Sequence, residues 1–374
     1  MNEFHGKLLS QSQIFSEFRQ QMQKRPSDSA PATSRTRGSL RIPAVFLLLP
    51  LSLLLLNCNG NKPGGNTGTN VAPPASPTPS VAAQAKLAID GERAFEHVRR
   101  QVEIGPRPAG SAELAKARDY IVGELKSDGL NVTLDEFTPK TPVGDRKMVN
   151  IIAELPGESS DVVILSSHYD TKLFKQFRFV GANDGGSSTG TLMEMARAMA
   201  ASGQKPRLTY WFVFFDGEEA FCTEWEDCKN PDGPDNTYGS RHLVAQLREK
   251  GELKRVRAMI LLDMMGYKNL RLGRDEEMST PWLIDDVWQT ARDLGYDKYF
   301  VDEEEGVGGD DHEPFLRAGI QSLDIIQLSS YEYWHKPEDT LDKISPQSLK
   351  IVGDVVLASL PRIEQRLLGT RAPS

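Results

Sequence analysis

Residues 208–221 of the chain read LTYWFVFFDGEEAF. The first eight of these residues are apolar or β-favouring and predict a buried strand. Three carboxylates follow at once, those of Asp216, Glu218 and Glu219. Like charges gathered in this way cost free energy unless a cation or an opposing partner lies among them, or one of them stays protonated. The stretch therefore predicts a strand that ends at a metal site, with a solvated acidic turn as the alternative.

Similar apolar runs alternate with helical patterns along the rest of the chain. Runs rich in β-branched and aromatic residues predict strands over 132–137, 149–155, 161–170, 208–216, 256–266 and 322–328. Apolar residues at helical spacing predict helices over 87–103, 111–128, 188–201, 239–250, 282–294 and 345–367. Nearly continuous apolar strands separated by helices are typical of an α/β fold with a mixed, mostly parallel central sheet and helices on both faces.

Further acids and histidines fall at the ends of these predicted strands. His168 ends one strand and Asp263 ends another, while Asp184 opens a loop before a helix and His335 precedes the C-terminal helix. Each alone has a structural explanation, as a core histidine, a helix cap or a turn former. In open α/β sheets, however, ligands gather beyond the carboxyl ends of the strands, so we expect these side chains to converge. Nitrogen and carboxylate ligands without thiolates are typical of a catalytic zinc site that keeps one position open.

The N-terminal extension, residues 1–58, has the features of an export signal. A basic region precedes the apolar run of residues 44–56, which is too short for a comfortable membrane span. The run ends at Leu-Leu-Asn-Cys, which is similar to a bacterial lipoprotein signal and predicts lipid attachment at Cys58. Ordinary secretion with cleavage nearby and an uncleaved anchor are the alternatives. Each predicts an exported protein, periplasmic or tethered to a membrane only through its N-terminal lipid or anchor.

The remaining chain divides into a linker, a folded body and a short tail. Residues 59–85 are rich in Gly, Pro, Ser and Asn and predict a flexible linker, followed by a catalytic domain over 86–367 and a tail over 368–374. The formal net charge of −8 argues against nucleic acid as a partner. Export favours a disulfide between Cys222 and Cys228, with two free thiols as the alternative. The sequence leaves the oligomeric state open.

Several short motifs together carry a resemblance to a known family. HYD at 168–170, GAND at 181–184, the adjacent glutamates, LDMMG at 262–266 and WH at 334–335 occur in the order seen in the M28 zinc peptidases. Within that superfamily the chain most resembles the glutaminyl-peptide cyclotransferases, or glutaminyl cyclases. The more specific stretches are HYDTKLF, FVGANDGG, FFDGEEAF with an insertion before YGSRHL, DDHEPFLRAGI and YWH. The likeness covers about residues 90–365.

The resemblance implies a role for each matching residue. A single zinc ion would be held by Asp184, Glu219 and His335, while Glu218 moves protons between substrate groups. Trp334 would help to form the substrate pocket, and Asp263 and Asp310 would share a hydrogen-bond network near Glu218. The implied reaction converts the N-terminal glutamine of peptides or proteins to pyroglutamate and releases ammonia.

A zinc aminopeptidase of the same superfamily is the main alternative. There the counterpart of Asp184 bridges two zinc ions, the second of which is held by His168 and Asp263, and Glu218 activates a water molecule. All of these residues are present in the chain, so the set of ligands alone does not determine whether one or two metal ions bind. A non-catalytic exported binding domain is a third interpretation. One departure from the animal cyclases is Asp324, which stands where they have a histidine.

Overall fold

The computed structural model describes residues 87–223, 227, 228, 230 and 233–369 of the protein. The predicted export signal with Cys58 and the whole predicted linker lie outside these residues. Within them, no helix is both long enough and apolar enough to cross a membrane.

A six-stranded sheet forms the centre of the described chain. The described residues contain eight strands in all, which are β1 (Asn131–Phe137), β2 (Met148–Leu155), β3 (Ser159–His168), β4 (Leu208–Phe215), β5 (Val256–Asp263), β6 (Leu272–Arg274), β7 (Phe300–Glu304) and β8 (Gln321–Ile326). The central sheet has the order β1-β2-β4-β3-β5-β8, and β6 and β7 form a separate parallel pair. Strands β4, β3, β5 and β8 are parallel to one another, whereas β2 is antiparallel to both β1 and β4. The predicted mixed, mostly parallel sheet is therefore confirmed.

Helices cover both faces of this sheet. They are α1 (Gly91–Ile104), α2 (Ala112–Ser127), α3 (Gly186–Ala201), α4 (Tyr238–Glu249), α5 (Pro281–Asp293), α6 (Glu313–Arg317) and α7 (Pro346–Gly369). Successive side chains of β3 alternate between two apolar cores, because neighbouring residues of a strand point to opposite faces. Val163 and Leu165 pack with α1, α2, α3, α5 and α7, whereas Val162 and Ile164 pack with α4 and α6.

The first two helices begin at side-chain caps. The Asp90 carboxylate accepts hydrogen bonds from the amides of Glu92 and Arg93, and the Ser111 hydroxyl accepts one from the Leu114 amide. These bonds satisfy amides that have no partner inside the helix. The predicted helix over 87–103 therefore begins later, at Gly91. At the other end of the chain, the last helix runs to Gly369, two residues into the predicted tail.

Three short elements were not predicted. Strand β6 has three residues, too few for an alternating pattern, and β7 ends in exposed acids that are unusual in strands. Helix α6 has five residues, with Pro314 in its first turn. The predicted strand over 256–266 ends earlier, at Asp263, because Met264 has a positive φ of 42° and leaves the extended conformation. These differences leave the order of the major elements as predicted.

Candidate active site

The acids and histidines singled out from the sequence lie at one edge of the sheet. His168 is the last residue of β3, Asp263 is the last residue of β5, and Glu219 lies in the turn after β4. Asp184 lies just before α3, and His335 lies between β8 and α7. Because β3, β4, β5 and β8 are parallel, their carboxyl ends meet at this edge, as expected for a ligand site in an open α/β sheet.

Asp184, Glu219 and His335 form the first group of candidate metal ligands. Nε2 of His335 lies 3.5 Å from Oδ2 of Asp184 and 3.3 Å from Oε2 of Glu219. One donor atom from each residue falls within 4.8 Å of the others. The carboxylate side chains are 4% exposed, whereas that of His335 is 20% exposed, so the group is reached from the side of the histidine.

The chemistry of this group fits a zinc ion. It offers one imidazole nitrogen and two carboxylates, the ligand types of catalytic zinc sites with three protein ligands. Oδ2 of Asp184 and Oε1 of Glu219 are buried and have no hydrogen-bond partner among the described residues. Buried oxygen atoms without a partner are expensive, and a bound cation would satisfy them.

A second group shares Asp184 with the first. Nε2 of His168 lies 3.1 Å from Oδ1 of Asp263 and 3.3 Å from Oδ1 of Asp184, and all three side chains are buried. The sequence-based alternative of a second metal site thus has its residues together. On the other side of the ring, Nδ1 of His168 lies 3.5 Å from Oδ1 of Asp170.

The two glutamates that follow β4 have opposite electrostatic environments. Burial would raise the pKa of Glu219, but the charges of His335, Lys172 and His168 outweigh it and lower the pKa to about 2. Burial, followed by the charges of Asp310 and Glu219, raises the pKa of Glu218 well above its usual range. One carboxylate is thus held ionised, while its neighbour readily holds a proton. Separation of this kind assigns different roles to neighbouring acids.

Other acids behind Glu218 are buried as well. Burial and the charge of Asp263 raise the pKa of Asp310 well above its usual range, and burial raises that of Asp311 to about 7. Asp263 accepts a hydrogen bond from the Met264 amide, and Asp310 accepts one from the Asp311 amide. Among the described residues, no hydrogen bond joins either acid to the Glu218 carboxyl group. The implied hydrogen-bond network around Glu218 remains a prediction. The described residues show an electrostatic effect instead, because the charge of Asp310 raises the pKa of Glu218.

The Asp170 side chain binds the turn that carries the two glutamates. Its carboxylate oxygens accept hydrogen bonds from the backbone amides of Glu218, at 3.2 Å, and Glu219, at 3.3 Å. Asp216, the third acid of residues 208–221, has a different partner and accepts a hydrogen bond from the Val149 amide at 2.8 Å. Asp216 therefore ties β4 to β2 and does not join the group of candidate ligands.

Backbone strain is concentrated around the site. The three non-glycine residues of the described chain with positive φ are Thr237, Met264 and His335, and the last has φ 55°. Met264 directly follows Asp263, and His335 is itself a candidate ligand. Such conformations cost about 1–3 kcal/mol each and persist only where the surrounding structure enforces them. The position of the His335 imidazole is therefore imposed by its neighbours.

Aromatic rings surround His335 on three sides. Trp334 stacks on it with ring centroids 4.4 Å apart, and Phe174 and Phe179 present their edges at 5.7 and 6.0 Å. Trp334 and Phe174 are partly exposed, whereas Phe179 is buried. The predicted pocket residue Trp334 thus borders the first group of candidate metal ligands. Phe174 and Phe179 were not singled out from the sequence, where only their place in the HYDTKLF and RFVGAND stretches marks them.

Two buried cationic side chains near the site were also not predicted from the sequence. Lys172 donates a hydrogen bond to the Ala220 carbonyl, and its Nζ lies 3.8 Å from Oε2 of Glu219. Arg107 is fully buried and donates to the carbonyl oxygens of Tyr169, Val180 and Gly181. Sequence patterns place cations on the surface by default. The signal for burial was their position, in GPRP and directly after HYDT.

The turn after the glutamates contains a disulfide. Cys222 and Cys228 are joined, six residues apart in the sequence. The Cys222 amide donates to Oδ2 of Asp235, whose Oδ1 accepts from the Tyr238 hydroxyl at the start of α4. The chain that leads away from Glu219 is therefore anchored to the next helix.

The chain is similar in sequence to known proteins. Residues 150–360 match peptidase family M28. A glutaminyl-peptide cyclotransferase of Drosophila melanogaster is 28% identical over 301 residues, which is 74% of the chain and 82% of that protein.

Similar solved structures include a protein named a glutaminyl cyclase and one named an exopeptidase. A glutaminyl cyclase of an Acidobacteriales bacterium is 38% identical with a TM-score of 0.70, and the match covers 78% of the chain and 100% of the cyclase. A Zn-dependent exopeptidase of Parabacteroides distasonis is 29% identical with a TM-score of 0.66, covering 73% of the chain and 98% of the exopeptidase.

Proposed function

The chain belongs to peptidase family M28, and we propose that it is a zinc-dependent glutaminyl-peptide cyclotransferase. The observation that carries the proposal is the convergence of Asp184, Glu219 and His335, with Glu218 beside them on the same turn. The similarity to proteins named glutaminyl cyclase supports the choice of reaction.

Asp184, Glu219 and His335 would hold one zinc ion. When bound, zinc supplies a Lewis acid that polarises the side-chain amide carbonyl of an N-terminal glutamine. The partial exposure of His335 leaves that side of the group open to the substrate. Lys172 and Arg107 add buried positive charge, which limits repulsion among the acids before the ion binds.

Glu218 would move the proton that the reaction requires. The substrate α-amine attacks the side-chain amide carbon, so that a new C–N bond forms and the bond to the amide nitrogen breaks. Glu218 takes a proton from the attacking amine and delivers it to the departing nitrogen, which leaves as ammonia. Burial and the charge of Asp310 raise the pKa of Glu218, as suits a carboxyl group that both accepts and returns a proton.

The aromatic residues would favour cyclisation over hydrolysis. The amine and the amide belong to one molecule, so holding the glutamine in a folded pose accounts for much of the acceleration. Trp334 and Phe174 border the open side of the group and would restrict both the substrate and water. Exclusion of water matters because hydrolysis of the amide competes with ring closure.

Aminopeptidase activity is the second candidate, and one observation favours it. His168, Asp184 and Asp263 form a second group of possible ligands that shares Asp184 with the first. His168, Asp184 and Asp263 would then hold a second zinc ion, and Glu218 would activate a water molecule. Metal analysis of the purified protein tests this directly, because the cyclase proposal requires one zinc ion per chain and the aminopeptidase requires two.

Product identity separates the activities. The protein is offered a peptide with N-terminal glutamine and, in parallel, leucine p-nitroanilide as an aminopeptidase substrate. Pyroglutamyl peptide and ammonia in equal amounts, abolished by a chelator and restored by zinc, are expected. Release of free amino acid instead would replace the cyclase by the peptidase, and the absence of both products would leave the exported binding domain.

The location and organisation of the chain belong to the same proposal. We propose an exported, periplasmic or membrane-tethered protein, whose export signal over 1–58 carries a lipid on Cys58, followed by a linker over 59–85 and a catalytic domain over 86–367. The disulfide between Cys222 and Cys228 supports an oxidising compartment. Mass spectrometry of the mature N-terminus tests for the lipid, because an unmodified N-terminal residue would rule out lipid attachment at Cys58.

A further inference from the structure

One buried carboxylate outside the ligand groups joins the two segments that carry Asp184 and His335. Asp339 has no exposed surface. Its Oδ1 accepts hydrogen bonds from the Asn183 amide at 2.8 Å and from the Tyr331 hydroxyl at 2.6 Å. Its Oδ2 accepts from the Asp184 amide at 3.1 Å. A single side chain thus binds two consecutive amides of one segment and a tyrosine of the other.

The backbone of Asp339 makes further contacts in both directions. Its amide donates to the Lys336 carbonyl at 3.0 Å, which closes the turn directly after His335. Its carbonyl accepts from the Ala182 amide at 3.4 Å. The position of the Asp184 segment relative to the His335 turn is therefore set by bonds that pass through one residue.

His335 depends on such support because of its conformation. Its positive φ is unfavourable for a residue with a side chain, so the turn needs bonds on both sides to maintain it. The amide of Trp334 donates to the Tyr331 carbonyl before the histidine, and Tyr331 in turn donates its hydroxyl to Asp339. The turn is thus held before His335 by Tyr331, which donates to the Asp339 carboxylate, and after His335 by the Asp339 amide.

We propose that Asp339 is a positioning residue of the metal centre, which holds Asp184 and His335 at the separation at which they bind the same ion. The proposal rests on the metal centre of the proposed function and adds a residue to it. Three donors converge on Asp339, and only a carboxylate offers two acceptor oxygens to receive them. An asparagine there would keep one oxygen and turn an NH₂ group toward an N–H or O–H donor.

The test compares Asp339→Asn with a matched control, Glu364→Gln. Glu364 is also buried and also accepts from one backbone amide and one tyrosine hydroxyl, those of Leu208 and Tyr210. Both contacts lie at the start of β4, at the opposite end of the strand from the site. The zinc dissociation constant of the folded protein is measured by competition with a chromophoric chelator, and the absorption spectrum of the Co²⁺-loaded protein reports ligand geometry.

We expect Asp339→Asn to raise the zinc dissociation constant by about 10–100-fold, the usual effect of losing a residue that orients metal ligands, and to alter the Co²⁺ spectrum. Glu364→Gln should leave the dissociation constant within about twofold of wild type even where both variants are less stable. Should Asp339→Asn fail to fold, Tyr331→Phe removes one of the three donors and is expected to weaken zinc binding by about 3–10-fold.

The outcomes separate this inference from the proposed function. Wild-type protein that binds no zinc defeats both. Wild-type protein that binds zinc, together with an unchanged dissociation constant in Asp339→Asn, or in Tyr331→Phe where the first variant does not fold, overturns the role of Asp339 alone. Equal weakening in Glu364→Gln also overturns it, because general destabilisation would then explain the effect.

Discussion

Replacement of Arg107 by methionine should destabilise the protein more than replacement of any partly exposed arginine. The Arg107 guanidinium is fully buried and donates to the carbonyl oxygens of Tyr169 at 3.0 Å, Val180 at 2.6 Å and Gly181 at 3.1 Å. These carbonyls belong to the segment after β3 and to the segment that leads to Asp184. Burial lowers the pKa of Arg107 to about 10, partly offset by Asp170 and Asp184, so the group is charged at neutral pH.

The expected loss follows from the groups that the variant leaves behind. Each buried carbonyl without a partner costs about 1–3 kcal/mol, which gives a range of about 3–9 kcal/mol for three. Water enters part of the space vacated by the guanidinium and lowers the cost toward the bottom of that range. We therefore expect Arg107→Met to reduce the free energy of unfolding by about 4 kcal/mol, a large share of the 5–15 kcal/mol typical of folded proteins.

The assay is urea unfolding followed by tryptophan fluorescence, with a chelator present so that zinc adds nothing. Arg257→Met is the matched control, because Arg257 also contacts a carbonyl, that of Leu367, and in addition Asp161, but its side chain is 21% exposed. The control should lose no more than about 1.5 kcal/mol. The reasoning is refuted if Arg107→Met loses no more than the control at equal denaturant dependence.

Three further predictions concern the acids and the disulfide. Glu218→Gln should lower kcat for an N-terminal glutamine peptide by about 10²–10⁴-fold, the usual contribution of a positioned acid-base group, with an unchanged zinc dissociation constant; retained turnover would contradict its role. Burial raises the pKa of Asp311 from 3.8 to about 7, so folding takes up a proton there and its contribution to stability falls as pH rises from about 4 to 7. In metal-free protein, the free energy of unfolding of wild type should therefore fall relative to that of Asp311→Asn between pH 5 and pH 8. A difference between the two proteins that does not change with pH, measured by urea unfolding, would contradict this prediction. Replacing Cys222 and Cys228 by serine should lower the free energy of unfolding by roughly 2 kcal/mol, from the entropy of a short loop, and an unchanged urea midpoint would count against it.

The sequence predicts the major elements well because their patterns are local. The eight buried residues of β4 form one continuous apolar run, and the caps at Asp90 and Ser111 precede clear helical spacing. Parallel strands then bring their carboxyl ends together, so residues as far apart as His168 and His335 could be assigned to one edge. The short elements β6, β7 and α6 were not predicted, because three to five residues are too few to show a periodic pattern.

The site is predicted less completely because much of its support comes from backbone contacts. Asp339 and Arg107 act on amides and carbonyls, which every residue possesses, so no residue type in the partner segment marks the contact. Asp216 shows the reverse case, since its type and position match the ligand pattern while its carboxylate binds the Val149 amide. Such choices depend on the direction of a side chain within a turn, which three-dimensional packing decides.

Helix α3 begins two residues after Asp184, and this arrangement has a consequence for the protein without its ion. The aligned peptide dipoles of a helix give its first turn a partial positive charge of about half a unit. Here that charge lies next in sequence to Asp184, which belongs to a group of acids that would otherwise repel one another. Unlike a lysine or a bound metal, it is neither titrated nor exchanged with solvent. The fold thus carries a permanent counter-charge, which lowers the repulsion among these acids whether or not a metal ion is bound.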